Sequence, residues 1–268
     1  MEIKTKNLVV LNIKGGFGNQ LFQYATALCI AIKNNAQLKI ILDEQFSLVK
    51  FKDEFRLDYL NVNYELAIED EYKSMMNSND KINLFYKILQ KLKFSSKFNK
   101  KSHINDSDGH KPESRIINAQ SPCYIDGWCV KETYFSEIRN KLINIFSYKY
   151  ELSDNSKLLL NKITNSNSVS IHLRRGDYLN ASNFFNQLDF NYYSKAIKML
   201  NSESKNNIFY VFSDDIEWVK SNFKMNVEIN FVKLNVDDKI KLDMEEFVLM
   251  KSCRHQIIAN SSFSWWAA

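Results

Sequence analysis

The first apolar run of the chain, 8–13, stops at Lys14-Gly15-Gly16-Phe17-Gly18, and an amphipathic stretch follows. Leu21, Ala25, Leu28 and Ile32 recur at helical spacing, Phe22 and Cys29 widen that stripe, and 38–42 is apolar again. Strand, glycine turn, helix and strand in this order predict a βαβ unit, because parallel strands need a crossover connection. The alternation returns in the C-terminal part. Apolar runs at 169–173, 208–212, 227–232 and 256–259 predict buried strands, and helices are expected at 191–200, 215–223 and 242–252. Strands alternating with helices predict a parallel sheet in an α/β domain.

The middle is less regular. Residues 46–124 read as helical insertions and loops, with a helix expected near 131–146. Polar breaks at Ser153, Asp154 and Asn155, and again at Asn165-Ser166-Asn167-Ser168, set a boundary within 150–165. Two domains are therefore expected, 1–155 with helical insertions and 156–268 as a second α/β domain.

Composition narrows this picture. Apolar residues make up 45% of the 268, enough for a real core, and charged residues 25%, so the chain is not disordered. It has six Gly and two Pro, where average usage of roughly 7% and 5% would give about 19 and about 13. That scarcity excludes collagen-like and linker architectures and argues against an all-β fold with many tight turns. No apolar run approaches the ~20 residues that span a bilayer. Cys29, Cys123, Cys129 and Cys253 sit in apolar surroundings without a leader segment, which predicts reduced, buried thiols in a cytoplasmic protein. His103, His110, Cys123 and Cys129 lack metal-ligand spacing, so no metal is expected.

The net charge of +5 is uneven: 81–105 carries seven lysines and no acid, and the rest of the chain sums to −2. Leu84, Phe85, Ile88, Leu89 and Leu92 follow helical spacing there, with Lys87, Lys91 and Lys93 interleaved. The favoured reading is the exposed face of an amphipathic helix; the sharper one is peripheral contact with an anionic inner-membrane surface. No recognition motif accompanies the lysines, so nucleic acid is not an expected partner.

In open α/β sheets, ligands bind outside the carboxyl ends of the strands. Three predicted strands each meet a polar cluster at that end. Arg174, Arg175, Gly176 and Asp177 follow His172-Leu173; Ser213, Asp214 and Asp215 follow Phe212; Asn260, Ser261, Ser262, Phe263 and Ser264 follow Ala259, ahead of Trp265 and Trp266. If the strands are parallel, these clusters share one edge. Paired arginines suit phosphate oxygens. Asn260-Ser261-Ser262, opening a helix, would offer N–H groups and hydroxyls to an anion, and Asp214 or Asp215 could accept from a nucleobase or ribose. A nucleotide-bearing substrate with a diphosphate accounts for all three clusters.

Plainer readings stand beside these. Arg174, Arg175 and Asp177 suit a structural ion-pair network; Ser213-Asp214-Asp215 suits an N-cap with acids in the first turn; Trp265 and Trp266 suit the core. Gly16-Phe17-Gly18 supplies the first two glycines of a dinucleotide fingerprint without the third, and Asp43 stands at a suitable distance for a ribose. On its own that loop suggests a nicotinamide-dependent oxidoreductase.

Taken together, the motifs resemble the bacterial α-1,2-fucosyltransferases of glycosyltransferase family 11. The resemblance runs through Gly15-Gly16-Phe17-Gly18-Asn19-Gln20-Leu21-Phe22-Gln23-Tyr24-Ala25, Asp126-Gly127-Trp128, His172-Leu173-Arg174-Arg175-Gly176-Asp177-Tyr178, Phe212-Ser213-Asp214-Asp215, and Cys253-Arg254-His255 through Trp266. It implies a GT-B-like fold of two Rossmann-like domains facing a cleft, an acceptor-side N-terminal domain and a GDP-fucose-binding C-terminal one. It implies inverting, metal-independent transfer of L-fucose from GDP-β-L-fucose to the 2-hydroxyl of a terminal galactose, in surface-glycan synthesis.

Carried onto this chain, the resemblance makes Arg174 the leading diphosphate ligand, with His172 and Arg175 beside it. Asp214 or Asp215, next to Ser213, would hold guanosine. Asn260, Ser261, Ser262 and Phe263 would line the diphosphate and fucose, and the loop with Gly16, Gly18, Asn19 and Gln20 would close the cleft. Asp126 is the first candidate base and Asp177 the second.

Four departures stand out. Glu246 occupies a position where the family usually has Asp, and Arg254 replaces a lysine. Cys129 and Val130 follow Trp128 where an aromatic and a Gln are usual. The family also normally continues beyond the Trp-Trp pair, so a C-terminally truncated, incomplete second domain is expected. A non-catalytic nucleotide- or sugar-binding module is the alternative outside the enzymes.

Overall fold

The computed structural model describes residues 7–42, 55–73, 75, 103–104, 114–175, 188–204 and 206–268. The chain divides into two compact units, Met1–Ser147 and Tyr148–Ala268.

The first unit is built on β1 (Leu8–Ile13), α1 (Phe17–Lys33), β2 (Gln37–Leu42), β3 (Glu65–Leu66), α2 (Glu69–Tyr72), β4 (His103–Ile104), α3 (Ser114–Ile117), β5 (Cys123–Ile125) and α4 (Arg139–Ile145). Its sheet has the order β3-β2-β1-β5-β4, with every pairing parallel. All six residues of β1 are buried, as a central strand covered on both faces requires, which is why its sequence is a run rather than an alternation. α1 turns Leu21, Ala25 and Cys29 inward, yet Gln20, Gln23 and Thr26 are buried too. Two of those amides hold the preceding turn. Gln23 accepts from Lys14 N at 2.9 Å and donates to Lys14 O at 3.0 Å, while Gln20 donates to Gly15 O at 2.8 Å and accepts from Arg56 N at 3.1 Å.

The second unit contains α5 (Asp154–Thr164), β6 (Asn167–Leu173), α6 (Phe190–Glu203), β7 (Asn207–Ser213), α7 (Ile216–Asn222), β8 (Ile229–Phe231), α8 (Lys239–Ser252), β9 (His255–Ile257) and α9 (Ser262–Ala267). The order is β8-β7-β6-β9, again all parallel. Val169, Ile171 and Leu173 of β6 join Phe209 and Val211 of β7 in a core closed by Tyr193 and Ile197 of α6 and by Val219 and Phe223. Four helices start on side-chain caps. Ser153, Asp189, Asp238 and Ser261 each accept from a backbone N–H in the first turn of α5, α6, α8 and α9.

The expected α/β fold with parallel sheets is the observed one. Differences lie in short or polar elements. The helix expected near 131–146 starts only at Arg139, after 3-10 turns at Glu132–Tyr134 and Ser136–Ile138. Cys129 at φ +54° and Phe135 at φ −140° keep the earlier backbone out of the α-helical region. β5 was hidden in the irregular middle. The polar residues at 153–155 open a helix, α5, and the division of the chain falls earlier, between Ser147 and Tyr148. The lysine-rich segment 81–105 lies outside the described residues except for His103 and Ile104.

The start of α5 is fastened to α8 by one carboxylate. Glu245 has no exposed surface and accepts from Ser153 N at 2.9 Å, Ser153 Oγ at 2.6 Å and Ser156 Oγ at 2.5 Å. Removing it would strand the buried Ser156 hydroxyl and the two half-buried donors of Ser153, each costing up to roughly 1–3 kcal/mol less whatever relaxation and water recover. Glu245→Ala is therefore expected to lose about 2–4 kcal/mol of stability, read as a lower urea midpoint with unchanged slope. A midpoint equal to the wild type's would refute this account of the clamp.

Candidate active site

β7, β6 and β9 are neighbours running the same way, so the residues after them leave the sheet at one edge. Leu173 pairs with Ser213, which puts Arg174 level with Asp214. Arg174 Nε stands 3.3 Å from Asp214 Oδ2. Arg175 is held through both its backbone and its side chain. Its backbone N–H donates to Asp214 Oδ1 at 2.9 Å, its Nε donates to Asp215 Oδ2 at 3.0 Å, and its guanidinium lies 3.6 Å from the Trp218 ring centroid. A planar guanidinium stacked on indole and tied to a carboxylate has little freedom left.

Asp215 occupies the N-cap position of α7 but makes no side-chain cap bond; its carboxylate serves Arg175 and its N–H donates to Ser213 Oγ at 3.1 Å. Both plain readings of these clusters are thus partly right. The arginines do sit in an ion-pair network, but with Asp214 and Asp215. Gly176 and Asp177 lie outside the described residues.

His172, on β6, is buried, and its Nδ1 has no hydrogen-bond partner among the described residues. Burial, helped by Arg174, pushes its pKa down to about 3, so the imidazole is neutral at any working pH. Its ring centroid is 5.5 Å from that of Phe263, in the first turn of α9. Ser261 caps that turn, accepting from Phe263 N at 3.3 Å, and Ser262 is its first helical residue. Asn260 precedes the cap and is exposed.

One residue of this edge was legible only as a departure from a family pattern. Glu246, partly buried on α8, has its pKa raised to about 8, first by desolvation, then by Asp243 and Asp214, with Arg174 opposing. The available signal was an acid set among Met244, Phe247 and Leu249, all buried.

A second charged cluster stands at the carboxyl edge of the first sheet. β1 and β5 are neighbours, and Leu11 pairs with Ile125, so Asn12 is level with Asp126. Lys14 Nζ lies 2.7 Å from Asp126 Oδ1, and Asn12 Nδ2 donates to the same oxygen at 3.4 Å. Lys14 Nζ is also 5.3 Å from the centroid of the Trp128 ring. Gly15 has φ +77°, and a Cβ there would fall 2.8 Å from Trp128 Cζ3, so glycine is required twice over. Gly16 is exposed with open space around it, and Asn19 is half-buried. Gly18, expected in the loop, is instead buried within α1, and Gln20 is buried against Gly15 and Arg56.

Among the described residues no group of three or more His, Cys, Asp or Glu is placed to hold a metal, and no helix is long and apolar enough to cross a membrane. Burial raises the thiols of Cys123 and Cys253 to about 12.

Two parallel sheets with helical crossovers, and charged residues gathered at the carboxyl ends of their strands, define a protein of the α/β class. Residues 82–268 match the model of Glycosyl transferase family 11, and the chain belongs to that family. Alpha-1,2-colitosyltransferase of Escherichia coli is 32% identical over 271 residues, covering 98% of this chain and 87% of that one. Galactoside alpha-(1,2)-fucosyltransferase 1 of Leontopithecus chrysomelas is 24% identical over 154 residues, covering 54% of this chain and 42% of its own. A crystal structure of NodZ α-1,6-fucosyltransferase soaked with GDP-fucose has a TM-score of 0.55 at 12% identity, covering 98% of this chain and 91% of that one; NodZ is from Bradyrhizobium. Family membership leaves the nicotinamide reading without support, since it rested on the glycine loop and on Asp43, which lies outside the described residues.

Glu246 makes stability depend on pH in a definite direction. Below its usual 4.5 both folded and unfolded chains hold the proton; between there and about 8 only the folded chain does, so rising pH favours unfolding. Glu246→Gln lacks this dependence. Its stability relative to wild type should rise from pH 4.5 to 8 and then level off, as urea titrations across that range would show. A flat difference would contradict the raised pKa.

Proposed function

We propose that this family 11 glycosyltransferase moves L-fucose from GDP-β-L-fucose to the 2-hydroxyl of a terminal galactose, with inversion and without a metal ion. The observation that carries the reading is the meeting of Arg174, Asp214, Glu246, His172 and Phe263 at the edge shared by β6, β7 and β9. Arg174 would bind the diphosphate, exchanging its contact with Asp214 for phosphate oxygens. As GDP departs, charge builds on the β-phosphate, and a guanidinium already in place stabilises it without reorganisation. Arg175, fixed by Trp218 and Asp215, would keep the turn rigid and offer its remaining N–H groups to the same anion. Asp214 or Asp215 would hold guanosine beside Ser213, and Asn260, Ser261, Ser262 and Phe263 would line the diphosphate and sugar.

Inversion needs the acceptor hydroxyl opposite the leaving group, with a carboxylate in reach of its proton. Asp126 is the first choice. Lys14 and Asn12 both engage Oδ1, which among the described residues leaves Oδ2 for an acceptor. Asp177 is the second choice. The exposed Gly16 and half-buried Asn19 suit the approach of sugars to the loop. The acceptor would be a galactose-ended surface-glycan precursor on the cytoplasmic side of the inner membrane, with the lysine-rich 81–105 segment reaching its anionic face.

The relative at 32% identity supports a second reading, transfer of a colitosyl group. Colitose is L-fucose without its 3-hydroxyl, so the same diphosphate and guanosine contacts would serve both donors.

Incubation of chelator-treated protein with lactose and each donor, with linkage analysis of the product, tests both readings. Full activity after chelation and a fucosyl-α-1,2-galactose product are expected; a product from the colitosyl donor alone would select the second reading. Arg174→Ala should lower transfer by about a hundredfold or more and weaken GDP binding by about tenfold in calorimetry. Normal turnover in that variant would remove Arg174 from the diphosphate role.

A further inference from the structure

We infer that the indole of Trp128 is the platform on which the acceptor sugar stacks, an inference that rests on the transfer reading above and deepens its acceptor side. Of the four tryptophans, Trp128 alone is exposed, at 46%, and it stands between two buried residues, Gly127 and Cys129. Exposure alone is ordinary for an apolar side chain, and it is the company this ring keeps that sets it apart. The ring is also fixed in place. Its Cζ3 lies so near the Gly15 backbone that a methyl group would not fit, and Lys14 sits 5.3 Å from its centroid. Cys129, next in the chain, adopts φ +54°, a left-handed conformation unfavourable for a residue with a Cβ. Backbone strain and a glycine at φ +77° thus hold an exposed aromatic at the carboxyl edge of a parallel sheet, where ligands of such sheets bind.

The surrounding groups identify the ligand class. A pyranose presents one face of C–H bonds with slight positive charge, which meets the electron-rich face of an indole. Its rim of hydroxyls needs donors and acceptors at once. Lys14 Nζ and the Asp126 carboxylate, 2.7 Å apart, offer both beside the ring. A flat apolar ligand would leave that pair unused. A nucleobase could stack on the ring, and the GDP arm of the test separates it from a sugar.

Trp128→Ala, Trp128→Phe and Gly15→Ala are to be compared with the wild type, with melting curves confirming that each is folded. Transfer kinetics give KM for the galactoside and for the donor, and calorimetry gives GDP affinity. Saturation-transfer NMR with lactose in the presence of GDP reads acceptor binding without turnover. Trp128→Ala should raise the galactoside KM by about tenfold or more and abolish the lactose signal, with GDP affinity within about twofold of wild type. Trp128→Phe should recover most of the loss, and Gly15→Ala should raise the galactoside KM in the same direction.

A galactoside KM and a lactose signal unchanged in Trp128→Ala overturn the platform, as does a loss of GDP affinity matching the loss of acceptor binding. A wild type that neither transfers to nor binds the galactoside overturns the acceptor reading, and the platform with it. A wild type that transfers normally while Trp128→Ala does the same overturns the platform alone.

Discussion

A strand that runs parallel to its neighbour can be reached only by a crossover, and that constraint organises both units. Every strand pair in β3-β2-β1-β5-β4 and in β8-β7-β6-β9 is parallel. The carboxyl ends of each sheet therefore lie together, and segments far apart in sequence emerge side by side. Lys14 and Asp126 meet because β1 and β5 pair; Arg174 and Asp214 meet because β6 and β7 pair. The chemistry at each edge is an outcome of register. A central strand such as β1 is covered on both faces and carries no charge, so charged groups appear only where it ends.

Charge at these edges is arranged in pairs of opposite sign. Arg175 is pinned by a carboxylate and an indole, and Arg174 Nε stands 3.3 Å from Asp214. Among the described residues, the Asp126 carboxylate is engaged through Oδ1. The neutral His172 and the raised carboxyl of Glu246 lower the charge that the second edge must carry in a partly dehydrated setting.

How much of this was readable from the residues depends on where the information resides. β1, α1 and β2 were legible because each is long enough to show its period and is bounded by glycine or polar residues. β5 was not, since Cys123-Tyr124-Ile125 is too short for any period, and pairing with β1 makes it a strand. Ser153 looked like a break because a cap and a loop use the same residues; only Glu245 distinguishes them. Arg174, Arg175, Asp214 and Asp215 could be found because they follow strands immediately. Their pairings could not, because Arg175 reaches Asp215 across 40 residues and Lys14 reaches Asp126 across 112. Gln20 shares a glycine-rich motif that suggests ligand contact, yet its amide braces the turn from within.

Glu245 and Glu246 are neighbours on α8, and on paper they are interchangeable acids. Successive helical residues point about 100° apart, so one is sunk against the start of α5 while the other looks toward Arg174 and Asp214. The rotational setting of α8 is thereby locked from two sides. A single inserted or deleted residue upstream in that helix would carry the fastening acid out of its socket and the other acid away from Arg174 and Asp214 in one stroke. Insertions and deletions in α8 should consequently be far less tolerated than point changes on its exposed face.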